Sequence, residues 1–170
     1  MTFLKTALLL TTIGALSACT GADRFGSGGA GANGGDVSQF GGGVSDPSSP
    51  AFFSSEAVGD RVLFAVDQST LTPEAQVVLS KQASWLLTNT GFSALIEGHA
   101  DEQGTREYNI ALGARRAEAV QTYLVSQGVS PARLKTISYG KERPIEICSD
   151  ESCYSQNRRS VTVLTAGSGV

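Results

Sequence analysis

The residues LIEGHADEQGTREYNIALGARR, from Leu95 to Arg116, are the stretch that decides the fold. They begin with a short apolar run typical of a strand that ends at Gly98, and a long helical pattern follows from about Thr105. The loop and the helix carry two acids and two bases, which are Asp101, Glu102, Arg115 and Arg116. A strand that leads into a helix through a polar loop is a common place for ligands in α/β domains. Opposite charges on one concave face favour a zwitterionic ligand over a simple anion.

The first 18 residues predict an export signal that is removed from the mature chain. A single charged residue, Lys5, precedes an apolar run from residue 7 to 16 that is too short to span a bilayer. The sequence LSAC that ends at Cys19 resembles a bacterial lipobox, which makes Cys19 the acylated first residue of the mature chain. An ordinary secretory signal with a cysteine at its cleavage site is the alternative. Thr20 stands where Asp would be an inner-membrane signal, so the anchor is predicted to lie in the outer membrane, with the domain facing the periplasm.

Residues 19–59 are predicted to be the lipidated cysteine followed by a flexible tether. Gly and Ser dominate this segment and no hydrophobic periodicity is visible. A coil of this length spans roughly 35 Å. Phe52 and Phe53 are the exception, and they are predicted to dock at the edge of the domain rather than to form core. The folded domain is predicted over residues 60–166, with residues 167–170 as a tail.

The net charge excludes one class of partner. The whole chain has a formal charge of -3, and loss of the signal with Lys5 makes the mature chain -4. Nucleic-acid binding proteins present a basic face, so a mildly acidic chain with mixed charges does not support that function. No polybasic segment is present to attract anionic lipid either, and the acyl chains would have to supply the membrane anchor.

Periodicity and turn residues predict two helices and four strands in the folded domain. The strands are expected at residues 61–66, 93–97, 134–139 and 160–165, and the helices at residues 72–90 and 105–127. Thr72 followed by Pro73 has the form of an N-cap with proline at the first helical position. Small residues such as Gly113 and Ala117 would let the second helix lie close to the sheet. The order βαβαββ predicts an α+β two-layer α/β sandwich, with both helices on one face of a mixed four-stranded sheet.

Four segments carry a resemblance to a known family. They are VLFAVDQSTLTPEA, IEGHADEQGTREYNIALGARRAEAVQTYL, ISYGKERPI and YSQNRRSVTV. Together they resemble the OmpA-like domain family, most closely its peptidoglycan-associated lipoproteins, over essentially all of residues 60–164. The resemblance implies non-covalent binding of peptidoglycan through the diaminopimelate of its stem peptide. It further implies a link between outer membrane and cell wall, and work with Tol proteins (TolB, with TolA as a second candidate) in envelope integrity and cell division. It implies neither a cofactor nor an enzymatic activity.

The same resemblance assigns residues to the ligand. Asp101 would face the ammonium of diaminopimelate, and Arg116 its carboxylate, as a planar fork that meets a planar acceptor. Further wall residues are Phe64, Asp67, Asn109 and Leu112. Asn157 and Arg158 are expected mainly to frame the site from below. Without the resemblance, Asp101 is equally well explained as a helix cap. Arg116 could in the same way be a surface ion pair with Glu118 or Glu97.

Two features depart from the family pattern. Val66 stands where an aromatic residue often precedes the acid, so that wall is expected to be less tightly packed. Cys148 and Cys153 lie in the loop before the last strand. In an exported chain this spacing suggests a small disulfide loop, with two free thiols as the alternative.

Two other classes of function are alternatives to a binding module. A cell-wall hydrolase needs two carboxylates facing each other across the substrate, whereas Asp101 and Glu102 are adjacent in the chain. A metal-binding periplasmic domain would use His99, the single histidine, with these same acids. The side chains of adjacent residues in an extended chain point in opposite directions, so one histidine and two adjacent acids make a poor metal site.

Overall fold

The computed structural model describes residues 43–166 of the chain. The predicted signal, Cys19, most of the predicted tether and the predicted tail lie outside these residues. In chain order the elements are α1 (Pro50–Ser54), β1 (Arg61–Leu63), α2 (Pro73–Thr88), β2 (Phe92–His99), α3 (Arg106–Ser126), a 3-10 turn (Pro131–Arg133), β3 (Leu134–Gly140), α4 (Glu151–Asn157) and β4 (Arg159–Ala166). None of the helices in this described range is both long enough and apolar enough to cross a membrane.

The four strands form one mixed sheet in the order β1-β4-β2-β3. β4 runs antiparallel to both of its neighbours, whereas β2 and β3 are parallel. The predicted mixed four-stranded α+β sheet is therefore confirmed, and the predicted βαβαββ order is correct for the strands and the two long helices, with the short helices α1 and α4 in addition. The β2–β3 register shifts between Gly98 and His99. This irregularity lies where β2 passes into the polar loop.

The core lies between the sheet and helices α2 and α3, which cover one of its faces. Its strand residues include Val62, Ala94 and Ile96, and its helix residues include Leu79 and Leu124, all nearly inaccessible to solvent. The other face of the sheet is only partly covered, because Ile137 and Val163 remain exposed there. Alternation along the strands thus produces the predicted two layers.

Both long helices begin where the sequence predicts. The Thr72 side chain accepts a hydrogen bond from the backbone N–H of Ala75, and the Thr105 side chain accepts one from Tyr108. These caps satisfy backbone donors that have no partner within the helix. An N-cap involves residues only three positions apart in the chain, so it can be predicted from the sequence.

The predicted domain boundary at residue 60 is wrong, because the folded unit begins earlier. Residues 43–59 are part of the described structure, and Ser49 caps the short helix α1. Phe53, predicted at the domain edge, is 1% exposed and belongs to the core, as does Val58. The Trp85 Nε1 donates to the Pro47 carbonyl at 2.7 Å and so holds this segment against α2.

Two further details differ from the sequence prediction. β1 ends at Leu63 rather than at residue 66, because the chain turns there: Gln68 N–H donates to the Ala65 carbonyl, and Asp67 adopts a left-handed φ of 57°. The segment before β4, predicted as a loop, contains α4. Asp150 caps α4 by accepting from the N–H groups of Ser152 and Cys153.

Candidate ligand-binding site

A cavity of about 330 Å³ opens where β2 ends and α3 begins. Its lining residues are Val66, Asp67, Asp101, Gln103, Gly104, Tyr108, Asn109 and Leu112. Four of the residues predicted for the ligand therefore meet here, although the chain separates the first from the last by 45 positions. A larger groove of about 590 Å³ between α2 and α3 contains none of the predicted ligand residues. We therefore take the smaller cavity as the candidate site.

Asp101 lies in the cavity wall with both carboxylate oxygens held. Oδ1 accepts from the Gln103 backbone N–H at 3.2 Å, and Oδ2 accepts from Arg158 Nη1 at 3.2 Å. Only 8% of the residue is exposed. The hydrogen bond from the Gln103 N–H closes a local turn, which is the kind of contact that the helix-cap interpretation of Asp101 predicts. The ion pair with Arg158 fixes the plane of the carboxylate.

Arg158 has a larger part in this site than the framing role that the sequence predicted. It is 4% exposed, its Nε donates to the Phe64 carbonyl at 3.2 Å, and its remaining nitrogens pair with Asp101 and Glu151. The hydrogen bonds that Arg158 donates to the Glu151 and Asp101 carboxylates raise the Arg158 pKa despite burial. Arg158 therefore stays charged and binds Asp101 as a permanent cation.

Arg116 is completely buried beneath the cavity rather than presented in its wall. Its Nε donates to the Gln68 carbonyl at 2.8 Å, Nη1 to His99 at 2.8 Å and Nη2 to Ala65 at 3.2 Å. The guanidinium also lies 5.1 Å from the centre of the Phe64 ring. Phe64 is likewise buried and outside the cavity lining. These two predicted residues form the floor on which the site is built.

The charge of Arg116 persists in this position. Desolvation lowers its pKa to about 10, and Asp101 and Asp67 oppose that decrease. A guanidinium has five N–H groups, and three of those in Arg116 are committed to backbone carbonyls. The positive charge therefore lies directly behind the two cavity carboxylates at neutral pH.

Asp67 and Tyr108 form the rim opposite Asp101. The Tyr108 hydroxyl donates to Asp67 Oδ1, and this hydrogen bond is the main reason that the Tyr108 pKa is raised. The left-handed backbone of Asp67 turns its side chain toward α3. Val66, which replaces the expected aromatic residue, lines the cavity and is 54% exposed. Asn109 donates to the Gln103 carbonyl at 2.7 Å and so ties the loop to the helix.

Asn157 orders the neighbouring loop rather than the cavity. Its Oδ1 accepts from the N–H groups of Ile145 and Glu146, and its Nδ2 donates to the Glu146 carbonyl. Sequence reasoning missed Tyr108, although it precedes Leu112 by four positions and so lies on the same helix face. It also missed Gln103, Gly104 and Glu151, which carried no comparable signal.

Cys148 and Cys153 are joined by a disulfide, with their Cα atoms 5.8 Å apart. Within residues 43–166, these two sulfurs and Asp150 are the single group of three or more potential metal ligands. Since the sulfurs are bonded to each other, they are not available as thiolate ligands. His99 lies on the opposite side of β2 from the core, with its Nε2 3.4 Å from Glu97, and it does not line the cavity.

Comparison with known proteins adds a family, two relatives and one further protein that shares the fold. The model of the OmpA family matches residues 63–158. A peptidoglycan-associated lipoprotein of Mesorhizobium japonicum is 53% identical over 137 residues, which cover 80% of this chain and 81% of that protein.

Solved structures agree with this comparison. The crystal structure of the peptidoglycan-associated lipoprotein from Burkholderia pseudomallei has a TM-score of 0.64 and 37% identity, and covers 72% of this chain and 98% of that one. The C-terminal domain of Helicobacter pylori MotB has a TM-score of 0.59, and covers 64% of this chain and 86% of that one. At 20% identity, the latter shows a shared fold alone.

Proposed function

The chain belongs to the OmpA family, among its peptidoglycan-associated lipoproteins, and on this premise we propose that it is an envelope lipoprotein that binds peptidoglycan without a covalent bond. The ligand group is the free amino acid head of diaminopimelate in the stem peptide. This head carries an ammonium and a carboxylate on one carbon. The protein acts as a binding module and not as an enzyme.

The observation that carries this proposal is the charge of the cavity wall. Its lining contains two acids, Asp67 and Asp101, and no basic side chain. Such a wall favours an ammonium group over an anion. Asp101 is the residue that contacts the ligand ammonium, since Arg158 and the Gln103 N–H hold its carboxylate in one orientation.

The ligand carboxylate requires a positive region next to the acids. Arg116 supplies it from beneath, where its charge faces Asp101 and Asp67. Arg116 is fully buried and does not line the cavity, so its charge attracts the ligand carboxylate from beneath rather than through a contact in the cavity wall. Leu112 and Val66 line the wall that faces the methylene chain of the ligand.

A cell-wall hydrolase is the rival function, and the cavity does contain two carboxyl groups. A glycosidase needs one of them to donate a proton to the leaving group. Here Asp101 accepts hydrogen bonds from Arg158 and Gln103, and Asp67 accepts one from Tyr108. Both side chains thus serve as acceptors, which suits cation binding.

The test uses the mature chain with Cys19→Ser, so that no acyl chain confuses sedimentation with isolated sacculi. We expect this protein to sediment with sacculi and to be released by free diaminopimelate. Asp101→Asn should weaken binding by about tenfold or more, the loss of one charge-assisted contact. Glu118→Gln, an exposed acid outside the cavity, is the matched control.

Two outcomes would contradict the proposal. Equal binding by Asp101→Asn and the unsubstituted protein would show that this cavity is not the binding site. Release of soluble muropeptides would indicate a hydrolase instead.

The membrane anchor is tested separately. We propose acylation at Cys19, an outer-membrane location and a tether between the anchor and the domain. Cys19→Ser should then move the protein from the outer-membrane fraction to the soluble periplasmic fraction.

Tol proteins complete the proposed function, with TolB as the first partner and TolA as the second. The resemblance to Tol-associated lipoproteins supports this assignment, along with a role in envelope integrity and cell division. Crosslinking in intact cells, with sacculus binding weakened by Asp101→Asn, would test it. A crosslink to TolB that is retained in that variant would separate the Tol surface from the cavity.

A further inference from the structure

The loop that carries Asp101 is held by a distant segment of the chain, residues 148–158, which we call the disulfide segment. Arg158, at the end of this segment, lies between Asp101 and Glu151. Its side chain is 5% exposed, and its Nη1 is 3.2 Å from Asp101 Oδ2 and 3.3 Å from Glu151 Oε2. Glu151 therefore shares with Asp101 the cation that orients the Asp101 carboxylate.

The same segment also holds the next residue of the loop. Glu102 Oε1 accepts from the Ser149 hydroxyl at 2.9 Å and from the Tyr154 hydroxyl at 3.0 Å. Two consecutive acids of the loop thus depend on groups from both ends of α4. The loop backbone has a separate support, because Lys141 Nζ donates to the carbonyls of Glu102 and Gly104. Loss of the contacts from α4 should therefore disturb the side chains of the loop before its backbone.

The position of α4 depends on the disulfide. This helix has only seven residues, and a helix of that length is not stable without tertiary support. Cys153, in its first turn, is 7% exposed and is bonded to Cys148, which precedes the helix. The bond closes the short loop that contains Ser149, Asp150 and Glu151. Each of these three residues either caps α4 or contacts the loop or Arg158.

We propose that the Cys148–Cys153 crosslink and Glu151 are positioning elements of the binding cavity, which hold Arg158 and Glu102 so that Asp101 presents its carboxylate to the ligand. This proposal rests on the proposed function of the cavity. It predicts that loss of either element weakens ligand binding while the domain remains folded. Neither element touches the ligand, so both act through Arg158 and the loop.

The experiment compares variants of the mature Cys19→Ser chain for sacculus binding and for the NMR signal of the Gln103 amide. That amide donates to Asp101 Oδ1 and therefore reports on the carboxylate. Cys148→Ser with Cys153→Ser should weaken binding by about tenfold and shift the Gln103 signal. Glu151→Gln should weaken sacculus binding by roughly threefold, because an ion pair to a mostly exposed carboxylate contributes little free energy. Glu151→Asp, which keeps the charge, should recover part of that loss.

A core variant separates positioning from general stability. Leu79→Ala removes a fully buried side chain of α2 that belongs to the hydrophobic core, whereas no residue of the disulfide segment belongs to that core. It should lower the melting temperature yet leave affinity and the Gln103 signal unchanged below the transition. If the serine pair does not fold, the unsubstituted disulfide is reduced with dithiothreitol, which leaves two thiols and the oxidised cyclic dithiol. The same loss of affinity is expected.

Three results would overturn this proposal. The first is normal binding by the serine pair while Asp101→Asn loses binding, which would leave the proposed function intact. The second is weakened binding with an unmoved Gln103 signal. The third is an equal loss of affinity in Leu79→Ala, which would make the disulfide a general stabiliser. Failure of the unsubstituted chain to bind sacculi would refute the proposed function itself.

Discussion

Gly98 and Gly113 are in direct contact where β2 meets α3. A Cβ atom on Gly98 would lie 1.8 Å from the Gly113 carbonyl oxygen, and one on Gly113 would lie 2.8 Å from the Gly98 oxygen. The helix therefore packs against the strand with no side chain between their backbones. Arg116 follows one turn later, and this close approach brings its Nη1 to 2.8 Å from the His99 carbonyl.

Alanine at Gly98 should destabilise the domain severely. The added methyl group would overlap backbone atoms, so α3 would have to move away from the sheet. Overpacking of this kind typically costs about 1–3 kcal/mol, and a backbone overlap should lie at or above the upper end. Urea unfolding measures the effect. Gly91→Ala is the control, because nothing lies within 4 Å of its added Cβ. Equal unfolding midpoints for the two variants would refute the close contact.

Arg116→Ala should destabilise the fold as well as weaken ligand binding. It would leave three carbonyl groups, on Ala65, Gln68 and His99, without their donor. Each buried group left unsatisfied costs about 1–3 kcal/mol, so we expect a total loss of roughly 3 kcal/mol or more. Arg116→Lys should recover only part, because an ammonium cannot reproduce the guanidinium fork.

The neighbouring arginine is the control for this measurement. Arg115 is exposed, and its guanidinium lies 6.0 Å from the Tyr108 ring centre. Arg115→Ala should therefore change the free energy of unfolding by less than about 0.5 kcal/mol. Equal stability of the two alanine variants in chemical denaturation would show that Arg116 is not a structural residue.

A chain shortened to begin at residue 60 should be less stable than one that begins at residue 43. The shorter chain lacks Phe53 and Val58, which are in the core, and the Pro47 carbonyl that accepts from Trp85. Burial of one large apolar side chain contributes about 1.5–3 kcal/mol, so we expect a difference of several kcal/mol. Phe53→Ala in the longer chain should reproduce much of it.

Val44→Ala is the control for the N-terminal segment, because Val44 is 61% exposed. Thermal melting of the two chain lengths and the two variants makes the comparison. Identical melting temperatures for both lengths would mean that residues 43–59 do not stabilise the domain.

His99 should make stability depend on pH. Burial, together with the charges of Arg159 and Arg143, lowers the His99 pKa to about 4. The Glu97 carboxylate, 3.4 Å from Nε2, opposes this decrease. The Tyr139 ring packs against the imidazole, with the ring centres 5.5 Å apart. As the pH falls, the His99 imidazole becomes protonated near pH 6.5 in the unfolded chain but only near pH 4 in the native state. The contribution is therefore complete above about pH 6.5 and is lost as the pH falls toward 4, by roughly 3 kcal/mol.

His99→Gln isolates this effect, because other acids also titrate at low pH. The stability of the unsubstituted protein should fall more steeply than that of His99→Gln between pH 6.5 and 4, measured by urea unfolding at each pH. Parallel curves would show that His99 is protonated equally in the native and unfolded states.

The sequence predicted what depends on residues near each other in the chain. The caps at Thr72 and Thr105 involve hydrogen bonds across three positions, and the alternation of β2 and β4 is visible within eight. The loop with Asp101 lies between a strand and a helix that both have strong patterns. The order and type of the strands and the two long helices, and the approach of Gly113 to the sheet, could therefore be predicted from the sequence.

Other features depend on contacts between distant segments. Arg158 and Asp101 are 57 positions apart, and Trp85 contacts Pro47, which precedes α1, across 38 positions. No local pattern in a single sequence indicates which arginine will meet which acid. The seven-residue helix α4 lacks any strong periodicity, and it exists where the disulfide and Asp150 hold it.

Arg116 shows most clearly the difference between what the local sequence predicts and what contacts between distant segments decide. Its sequence position, on one face of a helix after a polar loop, determined that a charged residue would lie near Asp101. Only the tertiary structure decided that it would be buried, since the carbonyls that bind it come from residues 65 and 68 and from the end of β2. A charge can leave water only where several acceptors converge on it. That convergence is produced by the packing of α3 on the sheet.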